Sequence, residues 1–370
     1  MSSFHGFELL PSLLATLDEL GFDTPTEIQE RTLPILLQGR SAVGVAETGS
    51  GKTLSYALPV LQQLKNLEEG GDAVSEPGHP RCLVLVPSSD LGEQVAKAFK
   101  LFTHDTRLRV RSAVGGTAMK IARKNVAGPF EVLLATPGRL EQLMQLNLVN
   151  LSDLRVLVFD EADQILDQGF LPAIKRVLRK SPAEKQMALF TATASDAVQE
   201  LIGEMFHDAE IIETTGRHRL VSSLITENLT VPNGKRFPLL EEVLARPIDG
   251  GTLIFGNTKE QCDKLAEELT ENGYSCAIYR GDMDKKERRQ NLANFRAGSL
   301  EILISTELAA RGLDVENIAR VINYHLPKEM KNYLHRAGRT ARAGREGTVI
   351  NFVTDRDVNL IKRLESISPN

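Results

Sequence analysis

Residues 41–64 read SAVGVAETGSGKTLSYALPVLQQL: a short apolar run, a turn of glycines and small hydroxyl residues, then a stretch with helical spacing. The spacing predicts a buried strand over Ser41 to Ala46 and a helix over Thr53 to Leu64. The turn between them, AETGSGKT, has the chemistry of a phosphate cradle. Glycines at 49 and 51 let backbone N–H groups face inward, Lys52 reaches the β- and γ-phosphates, and the Thr53 hydroxyl can sit on Mg²⁺. The helix N-terminus aims its dipole at the same anion. On this reading Ala46, Thr48, Gly49, Ser50, Gly51, Lys52 and Thr53 hold a nucleotide. A flexible Gly/Ser turn is the plain alternative, but strand and helix flank the motif where phosphate binding needs them.

Working outward, the first two hundred or so residues alternate β-branched runs with helical patterns. Cys82 to Val86, Glu131 to Ala135, Arg155 to Phe159 and Met187 to Phe190 are continuous and apolar, as expected of parallel strands covered on both faces. NLEEGGDAVSEPGHPR, polar with Gly and Pro, reads as a surface loop. After IIET at 211–214 comes the short polar TGRHR, and the alternation restarts. Thr252 to Phe255, Ser275 to Tyr279, Ile302 to Ser305, Arg320 to Asn323 and Val349 to Val353 are the next strand candidates, with helices over Lys259 to Asn272 and Asp284 to Phe295. The expectation is two α/β domains, 1–214 and 220–370, joined by a short flexible linker at 215–219. A length of 370 residues exceeds what one core usually supports, and 42% hydrophobic content can fill two.

Composition removes several function classes. No apolar run approaches the roughly 18 residues of a membrane helix, and MSSFHGF has no basic region followed by an apolar one, so a soluble, cytoplasmic protein is expected. Cys82, Cys262 and Cys276 show no metal spacing and read as reduced thiols; the seven histidines form no ligand cluster. With net charge −5 there is no global pull toward nucleic acid, so any such binding needs a local track of phosphate donors. No heptad pattern stands out, which leaves a monomer as the expectation.

At 156–163 the apolar run enters VLVFDEAD, placing carboxylates at the carboxyl edge of a strand, where open α/β sheets bind ligands. Asp160 can hold Mg²⁺, and Glu161 can orient or deprotonate a water in line with the γ-phosphate. An acidic first helical turn is the structural alternative. The upstream phosphate motif favours the catalytic reading.

With these residues in place the chain resembles the DEAD-box RNA helicases over nearly its whole length, with the motifs in that family's order. GFDTPTEIQ (21–29) with Phe4 resembles the adenine-recognition motif. TPGR (136–139), DEAD (160–163), TAT (191–193), ARGLD (310–314) and HRAGRTAR (335–342) follow. The resemblance implies two tandem RecA-like domains, each a mostly parallel sheet flanked by helices. It implies an ATP- and Mg²⁺-dependent enzyme that binds RNA across both domains without regard to sequence and separates short duplexes. An ATP-dependent RNA clamp or RNP scaffold with little unwinding is the alternative. Gln29 can donate and accept at once against the adenine N6/N7 edge, and Phe4 or Phe22 could pack on the ring, although both also fit core roles. Asp314 is implied at the ribose, Arg339 and Arg342 as arginine fingers, and Asp163, Thr191, Thr193, His335 and Arg336 in coupling the domains. Gly115, Gly116, Thr136, Gly138 and Arg139, with Gly281, Arg288 and Thr306, are implied to line the RNA track. Contacts to sugar 2′-OH groups would favour RNA over DNA.

The chain departs from the family pattern in places. PSSDLG (87–92) stands for PTRELA, so an arginine expected at RNA is Ser89, which predicts a salt slope shallower by about one unit. Lys285 replaces a usual Gln, Glu307 a usual Asp, and His325, in YHLP, an Asp whose charge it does not keep.

Overall fold

A computed structural model describes residues 3–47, 49–206, 208–214, 224–310, 315, 317–341, 346–357 and 360–362. The chain divides into two compact units, Met1–Arg217 and His218–Asn370. The linker expected at 215–219 lies outside the described residues, as do Thr48, Asp314 and Arg342.

The first unit is built on seven parallel strands: β1 (Ala42–Val45), β2 (Cys82–Leu85), β3 (Val110–Ala113), β4 (Val132–Ala135), β5 (Val156–Asp160), β6 (Gln186–Thr191) and β7 (Glu210–Glu213), in the order β3-β4-β2-β5-β6-β1-β7. Alternate side chains of the central strands enter two separate cores. Ala42, Val84 and Val158 pack with the helices Glu27–Leu37, Lys52–Glu69 and Ser89–Thr106. Val43, Leu83 and Leu157 pack with Pro137–Gln145, Leu171–Lys180 and Asp196–Met205. Burial on both faces explains why these strands read as unbroken apolar runs. Gly44 interrupts one run for a steric reason: a Cβ there would lie 2.6 Å from the Phe190 ring.

The second unit repeats the plan with β8 (Leu224–Thr230), β9 (Gly251–Gly256), β10 (Cys276–Tyr279), β11 (Ile302–Thr306), β12 (Ile318–Asn323) and β13 (Gly347–Val353), all parallel, in the order β10-β11-β9-β12-β13-β8. Helices Arg236–Leu244 and Lys259–Glu271 cover one face through Leu240, Val243, Leu265 and Leu269. Phe295, Tyr333 and Ala337, from Lys285–Arg296 and Met330–Ala337, cover the other. Three strands are absent from the apolar-run reading: β3, β7 and β8. All are edge strands whose side chains are partly exposed, so polar residues break their pattern.

Sheet order is what gathers the motifs. β5, β6 and β1 are neighbours, so the DEAD segment, the TAT segment and the loop after Val45 emerge side by side at one carboxyl edge. β3, β4 and β2 bring residues 114–117, 136–139 and 87–92 to the same edge.

Candidate nucleotide site and nucleic-acid track

The loop after β1 turns into the helix Lys52–Glu69 through Gly51, whose φ of 90° is left-handed and suits glycine. Lys52 is buried and its Nζ donates to the Ala46 and Glu47 carbonyls at 2.7 and 2.8 Å. Ser50 Oγ also donates to Glu47, at 2.7 Å. A phosphate entering this loop would exchange those carbonyl partners for its own oxygens. Gln29 braces the loop from outside: its Oε1 accepts from the Thr26 N–H at 2.8 Å and its Nε2 donates to the Gly51 carbonyl at 3.1 Å. Thr26 is the N-cap of the helix Glu27–Leu37, so one glutamine ties a helix start to the glycine-rich loop. One amide N–H and one oxygen lone pair remain for a base. Phe4 is 2% exposed, lies in the core and contacts Phe7, whereas Phe22 is 42% exposed.

Asp160, at the end of β5, is 3% exposed; its Oδ2 accepts from the Tyr56 hydroxyl at 2.7 Å and its Oδ1 from the Glu161 N–H at 3.0 Å. Burial raises its pKa, and the Tyr56 hydrogen bond and the nearby Lys52 charge pull it back down. The Thr53 side chain, one turn earlier on the same helix, also acts on the Tyr56 hydroxyl. Tyr56, which motif reading passed over, thus joins the two Mg²⁺ candidates, Thr53 and Asp160. Glu161 sits in the left-handed region at φ 50°, and Gln164 Nε2 donates to its carboxylate. Asp163 accepts from Thr193 Oγ1 at 2.8 Å and from the Gln164 N–H at 3.0 Å, while Thr191 Oγ1 donates to the Thr193 carbonyl at 2.8 Å. Asp163, Thr191 and Thr193 therefore form one hydrogen-bonded link between the segments after β5 and β6.

At the far side of the same edge, the Gly115 N–H donates to Thr136 Oγ1 at 3.0 Å, and Arg139 donates to the Thr117 carbonyl. Gly116 has φ 68°, and only Phe170, at 3.8 Å, lies near a Cβ built on Gly138. Ser89 opens the helix after β2, capped by Ser88. The glycine that ends PSSDLG has a packing cause, since a Cβ on Gly92 would meet Val114 at 2.6 Å and Val86 at 3.2 Å.

In the second unit Gly281 follows β10, Thr306 ends β11, and Arg288 lies 5.6 Å over the Tyr279 ring. Arg336 is 2% exposed. Its Nε donates to Glu307 at 2.9 Å, its Nη1 to Asn323 at 3.0 Å and the His325 carbonyl at 2.8 Å, and its Nη2 to Asn257 at 2.8 Å, with the guanidinium 4.9 Å over Phe255. His335 approaches Glu307 at 3.9 Å, and Arg339, buried, donates to the His335 carbonyl at 3.0 Å. These contacts all lie within the second unit and make Arg336 a hub joining the segments after β9, β11 and β12. Sequence reading missed the role of Asn257, just past β9, and of Asn323, at the end of β12, because lone amides at strand ends carry no distinctive spacing.

Residues 26–201 match the family model described as DEAD/DEAH box helicase, and residues 235–344 match the helicase conserved C-terminal domain. The ATP-dependent RNA helicase RhlB of Pseudomonas aeruginosa is 34% identical over 98% of this chain and 92% of its own length. The ATP-dependent RNA helicase DeaD of Mycobacterium tuberculosis is 33% identical over 98% of this chain, which spans 63% of that relative. Among solved structures, S. cerevisiae Dbp5 bound to RNA and ADP BeF3 superposes with a TM-score of 0.86 at 30% identity, covering 99% of this chain and 93% of that one. That likeness extends over both parallel-sheet units, which have the tandem RecA-like helicase fold. Matching both domain models in order, and 34% identical to a helicase relative along nearly the whole length of each, the chain belongs to the DEAD-box family of ATP-dependent RNA helicases.

Proposed function

We propose that this chain is an RNA-stimulated ATPase that uses ATP binding and hydrolysis to separate short RNA duplexes. The observation that carries the reading is the convergence at one sheet edge of Lys52, Thr53, Asp160 and Glu161, with Gln29 clasping the loop just before Lys52. Gln29 selects adenine, and Lys52 and the loop amides take the phosphates. The Thr53 hydroxyl and the Asp160 carboxylate are hard oxygen donors suited to Mg²⁺. When bound, Mg²⁺ supplies charge neutralisation at the β- and γ-oxygens. Glu161, held by Gln164, orients the attacking water.

In this mechanism Arg339 and Arg342 stabilise charge on the transferring phosphoryl group, a role whose loss costs ~10³ to 10⁵ in rate. Planar, permanently charged guanidinium groups suit it. Single-stranded RNA is taken by backbone amides and hydroxyls around Gly115, Thr136 and Arg139, and by Gly281, Arg288 and Thr306. Such contacts carry no base information.

ATP turnover measured with no nucleic acid, with single-stranded RNA and with DNA of the same sequence tests the proposal. RNA alone should stimulate, and Glu161→Gln should retain ATP binding without turnover. Equal stimulation by DNA, or none by RNA, counts against it. Ser89, in place of a phosphate-binding arginine, favours a second reading as an ATP-dependent clamp. Strand displacement beside ATPase separates the two, since a clamp turns over ATP while leaving duplexes intact.

A further inference from the structure

At the carboxyl edge of the second sheet, beside the ends of β9 and β12, lies a cleft of about 520 Å³ lined by Lys235, Arg236, Gln261, Lys264, Glu268 and His325, among others. The strand order reverses between β9 and β12, and the crevice at such a switch point is where open α/β sheets take ligands. Nothing in the mechanism above uses it. The helices that wall it, Arg236–Leu244 and Lys259–Glu271, pack on the face opposite the helices carrying Arg288 and His335.

The cleft offers donors that the protein does not satisfy. Arg236 Nε and His325 Nδ1 are both buried without a hydrogen-bond partner, a costly arrangement unless something completes it. Gln261 spends its oxygen on the Asn257 and Thr258 N–H groups, at 2.9 and 3.2 Å, so what it has left for the cleft is its NH₂. Lys235, Arg236 and Lys264 form no ion pair among the described residues, and Glu268 is the one carboxylate among the lining residues. Three positive charges against one negative leave the walls at +2. A carboxylate at position 325 would cancel half of that excess, and histidine does not.

We propose that this cleft is a binding site for a phosphate group, distinct from the loop around Lys52. Donors arrive from three separate segments (235–236, 261–264 and 325), an arrangement that surrounds a tetrahedral dianion better than a planar carboxylate. Burial, with Arg236 and Arg336 nearby, pushes the His325 imidazole down to about 4. The ring is therefore neutral at physiological pH and can place its one N–H at Nδ1 to donate. The phosphate comes either from a free anion or from the 5′ end of a nucleotide chain.

Titration calorimetry on the full chain carrying Lys52→Ala, which removes the other phosphate site, tests the assignment. The probes are inorganic phosphate, pyrophosphate, acetate, and a tetranucleotide with a 5′-phosphate or a 5′-hydroxyl. Phosphate or pyrophosphate should bind, and Arg236→Gln or His325→Asp should each weaken binding roughly tenfold or more. Preference for the 5′-phosphorylated oligonucleotide over both free anions and over its 5′-hydroxyl form would make a chain end the source. Lys264→Gln, on the exposed rim, repeats the test without touching the buried atoms. The proposal is overturned if no phosphate binds, if acetate binds as well as phosphate, or if binding survives all three substitutions unchanged.

Discussion

The Tyr56 hydroxyl donates to Asp160 Oδ2 at 2.7 Å across 104 residues of sequence, with both side chains buried. That bond favours the ionised carboxylate against the burial that disfavours it. Tyr56→Phe should therefore raise the Asp160 pKa further and move the acidic limb of turnover to higher pH. The stability cost should be about 1–3 kcal/mol, as for a buried acceptor losing its donor. A pH–rate profile that superposes on wild type would show that Tyr56 does not tune the carboxylate.

Asp160 also gives the nucleotide-free fold a pH dependence of definite sign. Its folded pKa lies above the ordinary value of 3.8, so between the two the folded chain binds more protons than the unfolded one. Stability from this group then falls as pH rises through that window. Asp160→Asn removes the titration. Melting temperature, followed from pH 3.8 upward, should decline in wild type relative to the variant, and parallel curves would contradict the assignment.

Gln29 does two things with one amide, capping at Thr26 and gripping Gly51. Gln29→Ala should cost about 1 kcal/mol of stability, typical for a lost cap. It should also raise the KM for ATP while narrowing the preference for ATP over GTP. A variant that kept full ATP preference would confine Gln29 to a structural role.

How much of this was legible beforehand follows from the range of the interactions. The strand before residue 46 and the helix from Lys52 read directly from the sequence because both are local, with glycine at 51 where the chain turns left-handed. Tyr56 within an apolar helix looks like any core aromatic, and only the neighbouring positions of β1, β6 and β5 bring it to Asp160. Gln29 stands out in the sequence through its motif, but its hold on Gly51 needed the packing of two helices. The edge strands β3, β7 and β8 escaped because partial exposure dilutes their apolar pattern. Gly92 shows the converse: a small residue within a segment that departs from the family pattern has a packing cause in Val114.

Glu307 is the carboxylate on which Arg336 depends, at 2.9 Å. With Arg336 almost fully buried, Glu307→Ala leaves an uncompensated charge inside the second unit and should destabilise it by about 3–5 kcal/mol. Arg336→Lys should also destabilise, since an ammonium cannot span Glu307, Asn323 and Asn257 together. Chemical denaturation would show the loss, and variants of wild-type stability would rule out the hub.

Ser89 stands at the helix start after β2, at the sheet edge that also carries Thr136 and Gly115. A side chain too short and neutral to meet a phosphate leaves one fewer counterion displaced when RNA binds. Ser89→Arg should therefore tighten single-stranded RNA binding and steepen the slope of log K against log salt by about 0.7. Because the arginine adds charge without reading bases, the gain should be uniform across RNA sequences. Binding isotherms between 50 and 200 mM salt distinguish the outcomes. A tighter complex with an unchanged slope would place the new side chain away from the phosphates, and an unchanged affinity would remove this edge from the RNA path.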